Sequence, residues 1–291
     1  MDLHVVEIQY RNADRSEDRV SQTAAFREAR VYASAGGELS FATPELADSE
    51  RTADEIENLG LMGGHIADAV ADGLHSMRPV VVTGGNCSHV PGVVGGIQQA
   101  LGPDARIGLV WFDAHGDSNT PKTTLSGMLG GMPVSVSMGL CYPTWRELSH
   151  QPAPLPTDRI IMWDVRNLDP KEEALIRATA IEVAGRDDSL DRAIDALAEK
   201  TDFIYLHIDL DILDAELVPA HGTKEPNGPG MAETLEAVEK VLATGKVGVV
   251  ALVSVYTGGE GGPKTLESGK ELMRGSIERW QRHQPQLAAW S

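Results

Sequence analysis

The sequence predicts an α/β fold built on a mostly parallel sheet. Short runs rich in Val, Ile and Leu alternate with amphipathic stretches, and unusual polar clusters follow several of the runs. Continuous apolar segments such as Val80-Val81-Val82 and Ile107-Gly108-Leu109-Val110 read as strands buried on both faces. Strands are expected over 3–8, 79–83, 106–112, 159–162, 181–183, 203–208 and 247–253. Helices are expected over 53–76, 90–101, 170–179, 189–200, 231–243 and 263–282. That order makes repeated βα units, which require crossovers and therefore parallel pairing. The polar stretch 11–50 shows no clear period and reads as a loop-rich insertion near the rim of a site. No internal repeat or low-complexity segment is present, so one catalytic domain over 1–291 is expected.

Composition narrows the class. No apolar run reaches the roughly 18 residues of a membrane span, and the Met1-Asp2-Leu3-His4 start lacks the basic and apolar parts of a signal peptide. Two cysteines, Cys87 and Cys141, make no disulfide framework, so a reducing cytoplasm is expected. A net charge of −18 argues against nucleic acid or an anionic membrane as partner. A small-molecule substrate and a homo-oligomer are the expected partners. Most of the acidity is an acidic surface, and part of it is available as ligand carboxylate.

The polar clusters carry the chemistry. In open α/β sheets ligands sit at the carboxyl ends of the strands, and three clusters fall there: Gly84-Gly85-Asn86-Cys87-Ser88-His89, Asp113-Ala114-His115-Gly116-Asp117 and His207-Ile208-Asp209-Leu210-Asp211. Alternate residues leaving a strand point the same way, so Asp113, His115 and Asp117 can face one centre, as can Asp209 and Asp211. Four crowded carboxylates resist ionising unless cations sit among them. Oxygen-rich ligation with one imidazole suits Mn²⁺ better than a sulfur-rich zinc centre, and two ions can share a bridging carboxylate. Either motif alone also reads as a polar strand-end turn. Together, each after an apolar strand, they read as ligands. A dinucleotide site is disfavoured, because no G-x-G-x-x-G opens a helix after the first strand.

From about Pro79 onward the chain resembles the ureohydrolase superfamily, which includes arginase, agmatinase and formiminoglutamase. DAHxD appears as Asp113-Ala114-His115-Gly116-Asp117, and residues 113–134 align without gaps. DxDxxDP appears as Asp209-Leu210-Asp211-Ile212-Leu213-Asp214, with Ala215 in place of the proline. GGDHS appears as Gly84-Gly85-Asn86-Cys87-Ser88. The resemblance implies a three-layer α/β/α fold and a binuclear manganese centre that hydrolyses a linear C–N bond. It assigns one ion to Cys87, Asp113, Asp117 and Asp209, and the other to Asp113, His115, Asp209 and Asp211. Asp113 and Asp209 then bridge the ions, a bridging water attacks the trigonal carbon, and Asp117 ferries a proton to the departing nitrogen.

Three positions depart from arginase. Position 87 is histidine there and cysteine here; a thiolate shifts selectivity from Mn²⁺ towards Zn²⁺ or Fe²⁺. The other reading of Cys87 is a small buried residue outside the shell, with water or His89 in its place. The proton-transfer histidine of SGNLHG is Gly130, and His221, beside a family active-site loop that also holds Thr223, is the candidate substitute, unless it is a surface histidine. The glutamate under the substrate guanidinium is Ser254. A cationic guanidinium would lose its charge partner in a desolvated site. Asn119, Thr124 and Ser126 match positions that hold an α-carboxylate, and Asp169 matches one that recognises an α-amino group. Asp169-Pro170 also reads as an ordinary helix start. The combination resembles the branch acting on N-hydroxyarginine, which also carries cysteine at the ligand position. Hydrolysis of a neutral amide or formimino group, and a non-catalytic member of the family, are the alternatives.

Overall fold

The computed structural model describes residues 1–285. Its strands are β1 (Leu3–Ile8), β2 (Tyr10–Arg11), β3 (Asp14–Arg15), β4 (Leu39–Ala42), β5 (Val80–Gly84), β6 (Ile107–Phe112), β7 (Ile160–Trp163), β8 (Glu182–Ala184), β9 (Phe203–Asp209) and β10 (Val247–Val253). The helices are α1 (Glu17–Glu28), α2 (Glu55–His75), α3 (Val90–Leu101), α4 (Pro133–Ser137), α5 (Pro143–Leu148), α6 (Pro170–Arg177), α7 (Ser189–Lys200), α8 (Met231–Leu242) and α9 (Gly262–Arg282).

Eight strands form one sheet in the order β4-β1-β5-β10-β9-β6-β7-β8, and every neighbouring pair is parallel. The short strands β2 and β3 pair with each other as an antiparallel hairpin. Along the sheet the chain runs outward from β6 to β8, then returns to insert β9 and β10 between β6 and β5. The carboxyl ends of β5, β10, β9 and β6 therefore stand side by side where the winding reverses, the place such sheets use for ligands.

The expected double-sided burial is present. On β5, Val81 faces a layer that includes Ile194, Leu197, Val238, Leu272, Ile277 and Trp280 from α7, α8 and α9. Val80 and Val82 face the opposite layer, with Met62, Ile66 and Val70 of α2 and Val93, Val94 and Ile97 of α3. This is the three-layer α/β/α arrangement. Helix starts follow their caps: the Asp54 carboxylate accepts from the backbone N–H groups of Ile56 (2.7 Å) and Glu57 (3.2 Å), so α2 starts two residues later than its apolar pattern suggests.

The 11–50 stretch holds more structure than a loop-rich insertion. It contains α1, a 3-10 turn over Val31–Ala35 and the edge strand β4. The apolar period is missing from α1 because the face it buries is Arg19, Gln22, Thr23 and Phe26. Those polar groups find partners only in the folded chain: Arg19 Nη1 donates to the Val255 carbonyl at 2.7 Å, and Gln22 Nε2 to Thr83 Oγ1 at 3.0 Å. Strand β4 is half-exposed at the sheet edge, so its alternation is weak. Helices α4 and α5 are also additions, each opening on a proline in its first turn.

Helices α2 and α3 cross at glycines. A Cβ at Gly92 of α3 would lie 2.5 Å from the Gly63 carbonyl oxygen and 2.8 Å from its Cα on α2. Gly92→Ala is therefore expected to push the helices apart and to cost about 1–3 kcal/mol. Chemical denaturation should show the loss as a lower midpoint with an unchanged slope; an unaltered midpoint would mean the helix pair tolerates the methyl group.

Candidate metal centre

Each ligand candidate is delivered by a strand end. After β5 the chain turns through Gly84 (φ +81°) and Gly85 (φ +65°). A Cβ at Gly84 would collide with the Ile8 carbonyl oxygen, so the turn excludes larger residues. Cys87 then opens a 3-10 turn into α3 and is 5 % exposed. Its thiol donates to Asp209 Oδ2 at 3.1 Å and Asp113 Oδ2 at 3.5 Å. Sγ thus remains at the centre. His89 does not: its Nε2 meets the Asn12 carbonyl at 2.7 Å and its Nδ1 accepts from the Asn86 N–H at 3.2 Å, so it is not available to fill the shell.

Backbone donors fix the carboxylates. Asp113 Oδ1 accepts from His115 N (2.7 Å), Asp209 Oδ1 from Asp211 N (2.9 Å) and Asp211 Oδ1 from Ala114 N (3.2 Å). Thr223 donates its hydroxyl to Asp211 Oδ2 at 3.1 Å. Imidazoles close round the same oxygens. His115 Nδ1 lies 3.1 Å from Asp211 Oδ2 and 3.3 Å from Asp113 Oδ1, and its Nε2 lies 3.6 Å from Glu225 Oε1. His221 is buried rather than on the surface, with Nε2 3.2 Å from Asp209 Oδ1. Two residues of the centre have left-handed backbone, Asp117 (φ +42°) and Ser254 (φ +60°), a strain that packing must hold.

The electrostatics are those of a cation-shaped hole. Burial pushes the Asp113 carboxyl well above the usual range, and the Asp211, Asp117 and Asp209 carboxylates push it further. Burial likewise raises Asp117 well above its ordinary value. Burial also raises the Cys87 thiol, reinforced by Asp209, Asp117 and Asp113. Asp209 moves the other way: burial opposes its charge, but His221, the Asp211 N–H and Ser254 hold it below the usual range. Burial opposes a charge on His115 too, yet Asp113 and Asp211 carry its pKa up to about 12. The chain is using protons to neutralise oxygens that a divalent ion would neutralise better.

The donors fit such ions. The ligand atoms of Asp113, His115 and Asp211 lie within 4.8 Å of one another, as do those of Asp209, Asp211 and His221, and those of Cys87, Asp113 and His207. Asp117 lines the same cavity, which has a volume of about 450 Å³.

The other expected residues divide. Asn119, Ser126, Asp169, Thr223 and Ser254 line the cavity; Thr124 does not, but accepts the Gly127 N–H at 3.0 Å and so shapes the loop carrying Ser126. Asp169 caps α6 and also accepts from Asn119 Nδ2 (3.2 Å) and Leu125 N (2.9 Å), which ties both expected head-group elements together. A Cβ at Gly130 would meet Asn86 Nδ2 at 3.6 Å, an ordinary contact, so the backbone there has room for a side chain to begin. Sequence reasoning missed Arg11, Asn86, Glu172 and Tyr256 of the cavity wall. Tyr256 packs edge-on against His221 at 4.8 Å and lies under the buried Arg19 guanidinium at 4.4 Å. Arg11, Glu172 and Tyr256 sit in no recognisable motif, and Asn86 lies within the motif over 84–88 at a position whose side chain was given no role. His207 was also passed over, although its place two residues before Asp209 puts it on the same strand face.

The arginase family model matches residues 6–275. The chain belongs to the arginase family. The match begins within β1, well upstream of the motifs at Pro79. An arginase from Bacillus caldovelox is 31% identical over 182 residues, 60% of this chain and 60% of that protein, so the alignment spans less than two thirds of that relative's length. An arginase from Entamoeba histolytica is 28% identical over 233 residues, 77% of this chain and 75% of that protein. The solved B. caldovelox arginase superposes with a TM-score of 0.82 at 23% identity, covering 95% of this chain and 97% of that one. The E. histolytica arginase in complex with L-ornithine gives 0.76 at 22% identity, covering 94% and 97%. A formimidoylglutamase from Bacillus subtilis gives 0.75 at 17% identity, covering 96% and 87%. These superpositions bear on the fold.

Metal uptake should depend on pH with a definite sign. Asp113 and Asp117 have raised pKa values in the folded chain, so they hold protons that an ion must displace. Apparent affinity is expected to rise with pH, and calorimetry in buffers of different ionisation enthalpy should detect proton release on binding. Affinity independent of pH would rule out this competition.

Proposed function

We propose that this chain is a binuclear-metal hydrolase of a linear C–N bond in a small amino-acid-like substrate, acting on an amidino or, more narrowly, a hydroxyguanidino group. One observation carries the reading: Cys87, Asp113, His115, Asp117, Asp209 and Asp211 share a cavity whose wall has the neutral Ser254 where arginase has a glutamate. In this proposal Cys87, Asp113, Asp117 and Asp209 hold one ion, and Asp113, His115, Asp209 and Asp211 hold the other. The set with His115 would suit Mn²⁺, and the Cys87 thiolate would draw the other set towards Zn²⁺ or Fe²⁺. When bound, they supply Lewis acidity for activating water and polarising the substrate.

The chain's own residues do the rest. Asp117, at the cavity wall, takes a proton and passes it towards the departing nitrogen. His221, held between Tyr256 and Asp209, is the second proton carrier, compensating for Gly130. Asn119 and Ser126, with Thr124 bracing their loop, bind the substrate carboxylate, and Asp169 binds the amino group. Thr223 lies beside the substrate while orienting Asp211. Ser254 helps hold Asp209 ionised and offers no charge to a guanidinium. An N-hydroxyguanidine is less basic than a guanidine and needs no such charge. A neutral amide or formimino substrate on the same metal site is the second reading, the amide favoured by the same neutral Ser254.

N-hydroxyarginine is expected to be hydrolysed with a higher kcat/KM than arginine. Loss of a charge-assisted contact is worth about 1.5–3 kcal/mol, which corresponds to roughly ten- to a hundredfold in rate. Ser254→Glu should narrow the gap in favour of arginine. Equal kcat/KM for both substrates would show that Ser254 does not set the choice, and turnover of only N-formimino compounds would favour the second reading.

Replacing the thiol tests the metal assignment. Cys87→His should retain two ions and raise the preference for Mn²⁺ over Zn²⁺ in competition experiments. Asp113→Ala and Asp209→Ala should each abolish binuclear binding. Unchanged stoichiometry in both alanine variants would dismiss them as bridging ligands.

A further inference from the structure

The buried imidazole of His207 has no role in the scheme above. It projects from β9 on the same face as Asp209, is 1 % exposed, and stacks on Trp111 with ring centroids 4.1 Å apart and planes 4° apart. Its Nδ1 meets the Tyr205 hydroxyl at 2.8 Å. Its Nε2 is buried and, among the described residues, has no hydrogen-bond partner. A ring nitrogen of His207, Sγ of Cys87 and an oxygen of Asp113 all lie within 4.8 Å of one another. An orphaned nitrogen in a dry core is costly, and a natural core normally gives it a partner.

We propose that His207 is a ligand of the metal ion held by Cys87, through Nε2. The inference rests on the metallohydrolase reading and changes the composition of one of its two sites. The imidazole expected at position 87 is missing from that loop and is returned by β9. The sheet permits the exchange, because between β5 and β9 the register places Ala251 of β10, whose methyl group leaves room across the strand. With Nδ1–H donating to the Tyr205 oxygen, Nε2 presents its lone pair, the arrangement that holds ligating imidazoles in one tautomer. With His207 added to Cys87, Asp113, Asp117 and Asp209, this set holds both a thiolate and an imidazole and is softer and more zinc-like than the set round His115. The two sites then differ in kind, one taking Zn²⁺, Fe²⁺ or Co²⁺ and the other the harder Mn²⁺.

The test uses the full chain stripped of metal and reloaded with cobalt(II), read by metal content and by the thiolate-to-cobalt absorption band. The wild-type protein is expected to bind two ions and to show the band. His207→Phe keeps a ring on Trp111 but removes both nitrogens; its band should titrate at least about tenfold more weakly, with one ion per chain still held tightly. An unchanged band titration in a variant with a native circular-dichroism spectrum would overturn the proposal, as would a wild-type protein that binds cobalt without the band. Binding of no cobalt by the wild-type chain would instead remove the metallohydrolase reading itself. A zinc-loaded crystal of the wild-type protein answers independently of any variant. Nε2 about 2.0–2.1 Å from an anomalous scatterer that also contacts Sγ supports the assignment; Nε2 beyond bonding distance rejects it.

Discussion

Four aspartates brought into one dry space make the constraint on which the site depends. Asp113, Asp117, Asp209 and Asp211 cannot all carry charge there without compensation, and the chain shows the strain: two of the carboxyls sit well above their usual pKa while His115 is held charged to about pH 12. Backbone N–H groups hold Asp113, Asp209 and Asp211 in place, so the repulsion cannot be relieved by rotating them away. A cation relieves it without moving anything. Such an arrangement would favour a cation-bound state over a cation-free one.

The sheet makes this crowding possible. Asp113 and Asp209 are 96 positions apart, but they leave the adjacent strands β6 and β9 at the same level. Cys87 arrives from β5 and Ser254 from β10, so four neighbouring strand ends supply the centre. All four strands are buried on both faces and anchored by two helical layers. The candidate ligands sit on these strand ends or in the short turns that leave them, and longer loops carry Asn119, Ser126, His221 and Thr223 into the cavity wall.

The wall departs from the arginase pattern at two of its positions. Gly130 and Ser254, neither of them charged, line it where the sequence resemblance leads one to expect a histidine and a glutamate. Arg11 adds a cation to the same wall, from the segment that looked least structured. Meanwhile the head-group elements, Asn119 and Asp169, are joined by a hydrogen bond.

How far the sequence could be read follows from the range over which each signal acts. Long apolar runs and the period of the amphipathic helices are local, so the parallel sheet, its principal strands and the major helices were legible, as were DAHxD and DxD, whose spacing matches a strand end. Helix α1 was not, because it buries Arg19 and Gln22 against partners 236 and 61 positions away. His207 looked like one more polar residue in an apolar strand until Cys87 and Asp113 stood beside it. Whether Cys87 faced the centre, whether His89 could replace it and whether His221 was buried depended on which strands became neighbours. The sequence by itself determined which chemical groups leave which strand ends. Only the tertiary structure decided which of them meet, because strand order in the sheet is set by long-range packing of the helical layers and not by any local pattern.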